Sequence, residues 1–202
     1  MNSNEKDTKL GKTLAWLLRH GAVNEGLTIS TEGYISLFII LQHKAFRGKY
    51  NSNDIERVVN NDSKKRYKIR LNNRTNSYEV KANQGHSITL VNDTELIPIL
   101  EPKYETIHGT YLLNWAYIKK DGLSRMNRKH IHFANGLNAL SGIRKNIQIL
   151  IYIDLAKALS DGLKFYESEN GVILTEGNEK GYLEPKYFLK VIKIKSGEQI
   201  HP

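Results

Sequence analysis

The sequence predicts an α+β protein of two lobes, a helical amino-terminal lobe that ends in a hairpin and a strand-rich carboxyl-terminal lobe. Three observations predict it. Apolar residues first recur at helical spacing, the period then switches to two at Lys64–Leu71, and short apolar runs dominate after the proline-bearing stretch from Leu96 to Pro102. A chain of 202 residues is long for one domain and sufficient for two small cores. The expected lobes are residues 1–97 and 98–202.

The elements follow in order. Leu10, Leu14, Leu17 and Leu18 mark an amphipathic first helix after a polar start, Met1 to Asp7, and Gly21 directly after Arg19-His20 reads as its stop. A turn at Thr31-Glu32-Gly33 precedes a second helix bearing Leu37, Ile40 and Leu41, with Ser36 placed to cap it. A short third helix starts near Asn53 or Asp54 and turns Ile55, Val58 and Val59 inward. Lys64 to Leu71 then reads as a strand with Lys64, Arg66, Lys68 and Arg70 on one face and Tyr67, Ile69 and Leu71 toward the core. It pairs with Tyr78–Ala82 through a polar turn. Three helices followed by a hairpin suggest a winged helix whose wing carries a basic ridge. In the second lobe, strands are expected at Ile147–Ile153, Gly171–Leu174 and Tyr187–Ile194, and helices near Tyr111–Ile118 and Leu155–Leu159.

Composition narrows the chemistry. Thirty Lys plus Arg against twenty-one Asp plus Glu give a formal charge of +9, which favours a polyanionic partner, nucleic acid before membrane. The absence of cysteine excludes disulfides and thiolate metal sites. No amino-terminal apolar run suggests export or membrane insertion, so a cytoplasmic, soluble monomer is the expectation. Neither a phosphate loop of the G-x-x-x-x-G-K-[ST] type nor a G-x-G-x-x-G fingerprint occurs, so a nucleotide site must be built otherwise.

The densest chemistry lies between His108-Gly109-Thr110 and Arg128-Lys129-His130-Ile131-His132. Were 128–132 a strand, Arg128, His130 and His132 would share one face. His108, His130 and His132 admit a zinc triad in principle. An anion site is the better reading, because Arg128 would repel a dication and no carboxylate flanks these histidines to orient them. Some of the imidazoles can be core groups, His132 first among them. Arg19-His20 alone reads as a helix end, cations complementing the macrodipole. Together with Arg66 and Arg128, however, it supplies three guanidinium groups, whose planar donors bind phosphate oxygens in pairs. The polar loop Asn83-Gln84-Gly85-His86-Ser87 and the turns Asp121-Gly122-Leu123-Ser124 and Ser141-Gly142-Ile143-Arg144 are unremarkable singly.

Taken in order, Leu17-Leu18-Arg19-His20, Lys65-Arg66-Tyr67, Ala82-Asn83-Gln84-Gly85-His86-Ser87, His108-Gly109-Thr110, the run from Gly122 to His132, Ser141-Gly142-Ile143-Arg144 and Ser168-Glu169-Asn170-Gly171-Val172-Ile173-Leu174 closely resemble the NAD-dependent RNA 2′-phosphotransferase family. The resemblance runs across nearly the whole chain. It implies a winged-helix RNA lobe joined to an ADP-ribosyltransferase-like lobe, and removal of an internal RNA 2′-phosphate, as left at a tRNA splice junction. NAD is consumed as co-substrate and no metal is used. An RNA 2′-phospho-ADP-ribose intermediate forms as nicotinamide leaves, and a neighbouring ribose hydroxyl then releases 2′-hydroxyl RNA and ADP-ribose 1″,2″-cyclic phosphate.

The same resemblance implies a catalytic set of Arg19, His20, Arg66 and Arg128. It places His108 and Thr110 at the NAD ribose, and Asn114, Asp121, Gly122, Leu123 and Arg144 in segments lining the dinucleotide site; it assigns no role to Gln84 or His86. The chain departs from the family pattern at Lys81, where arginine is expected, at Tyr34, where tryptophan is usual, and at Ser30, where aspartate is common. Two other classes remain open at this point: an ADP-ribosyltransferase acting on nucleic-acid phosphate ends, and a winged-helix regulator that binds nucleic acid without turnover.

Overall fold

A computed structural model of the chain describes residues 3–92, 95–139, 141–143 and 146–201. It mixes helix and sheet, consistent with the α+β expectation, and divides into two compact units, Met1–Thr94 and Glu95–Pro202.

In the first unit, α1 (Ser3–Trp16) runs into a π-helical turn, Leu17–Gly21. Leu10, Leu14, Leu17 and Leu18 are fully buried, and each contributes roughly 1.5–3 kcal/mol on leaving water. One sequence expectation changes here: the helix already includes Ser3 to Asp7. The helical element ends at Gly21, as the sequence suggests, and hydrogen-bonded turns follow to Gly26, where φ is +74° and the N–H groups of Gly26 and Leu27 close on the carbonyls of Val23 and Ala22. That is a Schellman-type closure, which the left-handed glycine permits. Gly21 also serves as a notch: a Cβ there would stand 2.6 Å from the Trp16 ring.

Helix α2 (Leu37–Gln42) follows the two-residue strand β1 (Ile35–Ser36), and Ser36 occupies its N-cap position without a side-chain bond. Helix α3 (Ser52–Asn60) starts on a capping box in which Asn51 and Asp54 bond each other's backbone N–H. Arg57 then joins Asp54 to Asp7 of α1, which ties the two helices together. Strands β2 (Tyr67–Asn72) and β3 (Ser77–Ala82) form a hairpin in register Tyr67↔Ala82 to Asn72↔Ser77, and β1 adds to β3.

The expected basic ridge is corrected. The strand begins at Tyr67, leaving Lys64 and Arg66 outside it, because Lys65 takes a positive φ of 45° and breaks the alternation. Arg70 is a structural cation: it donates to Glu79 at 2.6 Å and Glu32 at 2.5 Å and lies 3.7 Å over the Tyr34 ring. Leu71 is exposed near the hairpin tip. The departures at positions 30, 34 and 81 are neighbours in space. Lys81, itself buried, sits 5.1 Å from the Tyr34 ring centre, and the Ser30 hydroxyl accepts the Tyr34 N–H.

The second unit is built on an eight-stranded antiparallel sheet. Its strands are β4 (Ile97–Ile99), β5 (Thr106–Thr110), β7 (Ile131–Asn135), β8 (Ile149–Ile153), β9 (Phe165–Glu167), β10 (Ile173–Thr175), β12 (Phe188–Lys193) and β13 (Gln199–His201). The spatial order is β13-β12-β8-β5-β7-β10-β9-β4. Pro98 is tolerated because β4 lies at an edge. The apolar run of β8 is central, and Ile149, Ile151, Phe133, Phe165, Ile173 and Val191 fill the core with Leu155 and Ala158 of α5 (Leu155–Ser160). Helix α4 (Leu112–Asp121) leads through Gly122 into β6 (Leu123–Ser124), which pairs with β11 (Tyr182–Leu183).

The expected strand over 128–132 begins only at Ile131. Arg128, Lys129 and His130 belong to the preceding irregular turn, so Arg128, His130 and His132 do not share one strand face. Among the described residues no helix is long and apolar enough to cross a membrane.

Candidate functional site

In the first unit, the π turn carries Arg19 and His20 on a segment whose flanks, Leu17, Leu18 and Gly21, are buried. A π turn holds one residue more than an α turn, a device frequent at functional sites because it redirects side chains from the helical register. Ser87 closes on this turn three times: its backbone N–H donates to the Arg19 carbonyl at 2.9 Å, its hydroxyl reaches the same carbonyl at 3.5 Å, and that hydroxyl lies 2.9 Å from His20 Nδ1.

Arg66 stands just ahead of β2. Its Nε and Nη2 donate to Asp62 Oδ1 at 3.0 and 2.5 Å, and its backbone N–H donates to Oδ2 at 2.6 Å. The pairing raises the Arg66 pKa further and fixes the guanidinium as a cation; burial pushes the Asp62 carboxyl up, but the bonds from Arg66 hold it below its ordinary value. Asp62 is almost completely enclosed while Arg66 is 42% exposed, so the cation presents its outer edge to solvent. Asn83 fastens the same segment by donating to two carbonyls: its backbone N–H to Arg66 and its Nδ2 to Lys65, both at 2.9 Å.

In the second unit, β5 pairs with β8 over all five residues, Thr106↔Ile153 to Thr110↔Ile149, but with β7 only at Thr106↔Asn135 and Ile107↔Ala134. Beyond that point the two strands part. His108 Nδ1 lies 2.9 Å from the His132 carbonyl across the parting, with its ring edge-on to Phe133. Residues 141–143 and Ile147 cover the place: Gly142 lies on the backbone of Ala134, and Ile143 and Ile147 lie over Gly109, where a Cβ would come within 3.2 and 2.6 Å of them. Asn170 donates to the Ser141 hydroxyl at 3.3 Å and accepts from Ser168, so a polar loop supports the cover from behind.

Thr110 accepts from Asn114 Nδ2 at 3.3 Å, which joins the end of β5 to the first turn of α4. Asn114 and Asp121 are seven residues apart, hence on one side of the helix and about 10 Å apart along it. Asp121 lines a separate groove of ≈ 570 Å³ with Asn178, Glu179, Lys180, Tyr182 and Glu184. Gly122 has φ +92°, and a Cβ there would meet the Leu183 carbonyl at 2.3 Å, so the α4–β6 junction requires glycine. Leu123 is buried in the core. Arg125 lies across Gly181 and reaches the Arg128 carbonyl at 3.5 Å, organising the turn from which half-buried Arg128 emerges.

The structure thus gathers Arg19 and His20 on one turn, and His108, Thr110 and Asn114 around the parting of β5 and β7. Asp121, Gly122 and Leu123 belong to the far end of α4. Arg144 lies outside the described residues. Of His108, His130 and His132, His130 and not His132 is the buried one, with its ring edge-on to Tyr166. Among the described residues no three His, Asp or Glu side chains converge as a metal site would require. The sequence reading missed Asp62, Arg125 and the bonding roles of Asn83 and Ser87. The only signal for Asp62 was a carboxylate four residues before an arginine.

Comparison with known proteins places the whole chain in a family. Residues 5–177 match the family described as RNA 2′-phosphotransferase, Tpt1 / KptA family. The chain is 41% identical to tRNA 2′-phosphotransferase 1 of Danio rerio, over 96% of its own length and 89% of the relative's. It is 35% identical to the tRNA 2′-phosphotransferase of Saccharomyces cerevisiae, over 87% and 81%. A probable RNA 2′-phosphotransferase of Rhizobium leguminosarum is 34% identical over 92% of this chain and 97% of its own. With a match that spans Arg19, His20, Arg66 and Arg128 alike, this chain belongs to the RNA 2′-phosphotransferase family.

Proposed function

We propose that this enzyme removes an internal 2′-phosphate from RNA, tRNA-like in form, by transferring it to NAD. The observation that carries the reading is family membership over a span that includes all four expected catalytic residues. The first unit, three helices followed by the β2–β3 hairpin, is read as a winged-helix RNA lobe. The second, an antiparallel sheet that parts between β5 and β7, is read as an ADP-ribosyltransferase-like lobe.

Arg19 and Arg66 grip the RNA phosphate as a dianion. Fixed geometry then replaces a diffusional encounter with the ribose carbon that bears nicotinamide. His20 adds a hydrogen bond or carries a proton. NAD contributes the electrophilic carbon and the nicotinamide leaving group. Its contacts are assigned to His108 and Thr110 at the ribose, with Asn114, Asp121, Gly122, Leu123 and Arg144 in the lining segments. The hydroxyl–amide pair Thr110–Asn114, beside the parting of β5 and β7, suits a polar, ribose-bearing ligand. The acidic groove at Asp121 suits a pyrophosphate poorly, so Asp121 is read toward a ribose or base. Arg128 stabilises the negative charge that develops on the phosphate oxygens when the adjacent ribose hydroxyl attacks and RNA departs with a free 2′-hydroxyl. No step calls for a metal.

The test is a short RNA with one internal 2′-phosphate, incubated with and without NAD and with a chelator. Loss of the phosphate only with NAD, unaffected by chelator and yielding ADP-ribose cyclic phosphate, is the expected result. Unchanged RNA would overturn the reading, and a stable RNA–ADP-ribose adduct would move it to ADP-ribosylation of nucleic-acid phosphates.

A further inference from the structure

Two cations meant for one phosphate repel each other, by about 4 kcal/mol at 4 Å near a protein surface. The Asp62 carboxylate offsets part of that repulsion at Arg66. The loop after β3 offers a different fastening. Asn83 donates from its backbone and from Nδ2 to the carbonyls of Arg66 and Lys65, and Ser87, four residues on, donates from its backbone to the carbonyl of Arg19. These bonds hold the main chain of both segments and use none of the guanidinium donors. The Ser87 hydroxyl also engages His20 at Nδ1, 2.9 Å away, which fixes the plane of the ring.

The loop is itself well anchored. Gly85 supplies a positive φ of 87° for its turn, and His86, 7% exposed, packs against Gly33, where a Cβ would lie 3.3 Å from Nε2. Lys65, whose carbonyl Asn83 holds, is one of four non-glycine residues with positive φ among the described residues. The left-handed conformation costs a lysine energy and persists where neighbours over-determine it. The Asn83 amide is one such neighbour.

We propose that Asn83 and Ser87 are positioning residues for the phosphate grip. In this inference the loop 83–87 is a strap that sets the main chain of Arg66 against that of Arg19 and orients the His20 ring, without itself contacting the transferred phosphate. It rests on the reading that Arg19, His20 and Arg66 hold the RNA 2′-phosphate.

The experiment compares full-length wild type with Ser87→Ala, Ser87→Thr and Asn83→Ala. It measures kcat and RNA KM with NAD saturating, and the ¹⁵N signals of the His20 ring without substrate. Expected for Ser87→Ala is a fall in kcat of roughly 10- to 100-fold, since small misplacements act on the chemical step, with KM changed far less. Its His20 nitrogen signals should move. Ser87→Thr, which keeps the hydroxyl, should recover most of the activity and the wild-type signals. Asn83→Ala should lower kcat with His20 signals near wild type, because it acts at the Arg66 end.

A folded Ser87→Ala protein with kcat within twofold of wild type overturns the inference. So does a Ser87→Thr protein as impaired as the alanine variant, since the hydroxyl would then be irrelevant. If Ser87→Ala does not fold, Asn83→Ala and Ser87→Thr decide by the same criteria. Wild-type protein that leaves 2′-phosphorylated RNA unchanged overturns the functional reading instead, and unmoved His20 signals in Ser87→Ala would then still refute the strap.

Discussion

Asp62 holds Arg66 by three atoms at once: its Oδ1 accepts from Nη2 at 2.5 Å and from Nε at 3.0 Å, and its Oδ2 accepts the Arg66 backbone N–H at 2.6 Å. An enclosed carboxylate thereby sets both the backbone and the side chain of a proposed phosphate ligand. Replacing Asp62 by Asn keeps the shape and removes the charge. The expected loss of stability is about 1.5–3 kcal/mol by thermal or denaturant melting, the range for hydrogen bonds to charged groups. The same exchange should raise the RNA KM, because the arginine loses its orientation.

The acid limb of stability gives a second check on that pair. The folded Asp62 carboxyl lies below its ordinary value of 3.8, so its contribution is complete above that pH and is lost as the pH falls through the lowered folded value. Asp54, lowered chiefly by its bond to Arg57, behaves in the same sense. A pH series of melts from 7 down to about 2.5 should show Asp62→Asn losing less stability than wild type below about pH 4.

Arg19→Lys should lower turnover by roughly 100-fold or more, since a point charge replaces a two-pronged donor and removal of one such donor typically costs that much. Steady-state kinetics with 2′-phosphorylated RNA measure it. A lysine variant within threefold of wild type would remove Arg19 from the grip.

Arg128→Ala should separate the two chemical steps. The residue is half-buried on an irregular turn outside the strands, and melting of the variant checks that it remains folded. RNA should accumulate as its ADP-ribose adduct, visible as a mass increase on the intact oligonucleotide, with nicotinamide still released. Absence of both adduct and nicotinamide would assign Arg128 to the first step.

Gly142→Ala should disturb the cover over the parting of β5 and β7. Its φ is +96°, and the new Cβ would stand 2.6 Å from the Ala134 Cα and 2.8 Å from the Phe133 carbonyl, backbone atoms that cannot swing aside. A loss of about 1–3 kcal/mol from backbone strain and a raised KM for NAD are expected. Unchanged NAD KM in a destabilised protein would show that the cover is structural only.

Elements were legible wherever burial alone decided them. The leucines of α1, the β2–β3 hairpin and the apolar run of β8 declare themselves by period, and the structure places them close to where the pattern does. The site was legible as residue types and not as bonds. Arg70 has the same position in the alternation as Lys68, and nothing local marks that Glu32 and Glu79 would claim it. His130 and His132 exchange their expected environments because the strand starts three residues late, beyond a turn shaped by Arg125 and Gly181. The bonding of Asn83 and Ser87 depends on carbonyls some twenty and seventy residues away, a separation that no periodicity encodes.

The π turn at Leu17–Gly21 makes this protein unusually sensitive to chain length at one place. A wider turn accommodates one residue beyond the α-helical count, so deleting a single residue there would let ordinary helix form straight through. The flanking segments would keep their register, while residues inside the turn would shift by one position, a rotation of about 100°, one residue's share of a 3.6-residue turn. Leucines would still find the core, and the polypeptide would keep its helicity while the Arg19-His20 pair faced elsewhere. Point substitutions and deletions should therefore have opposite profiles here: many replacements at exposed Lys12 tolerated, and no frame-preserving deletion between residues 17 and 21.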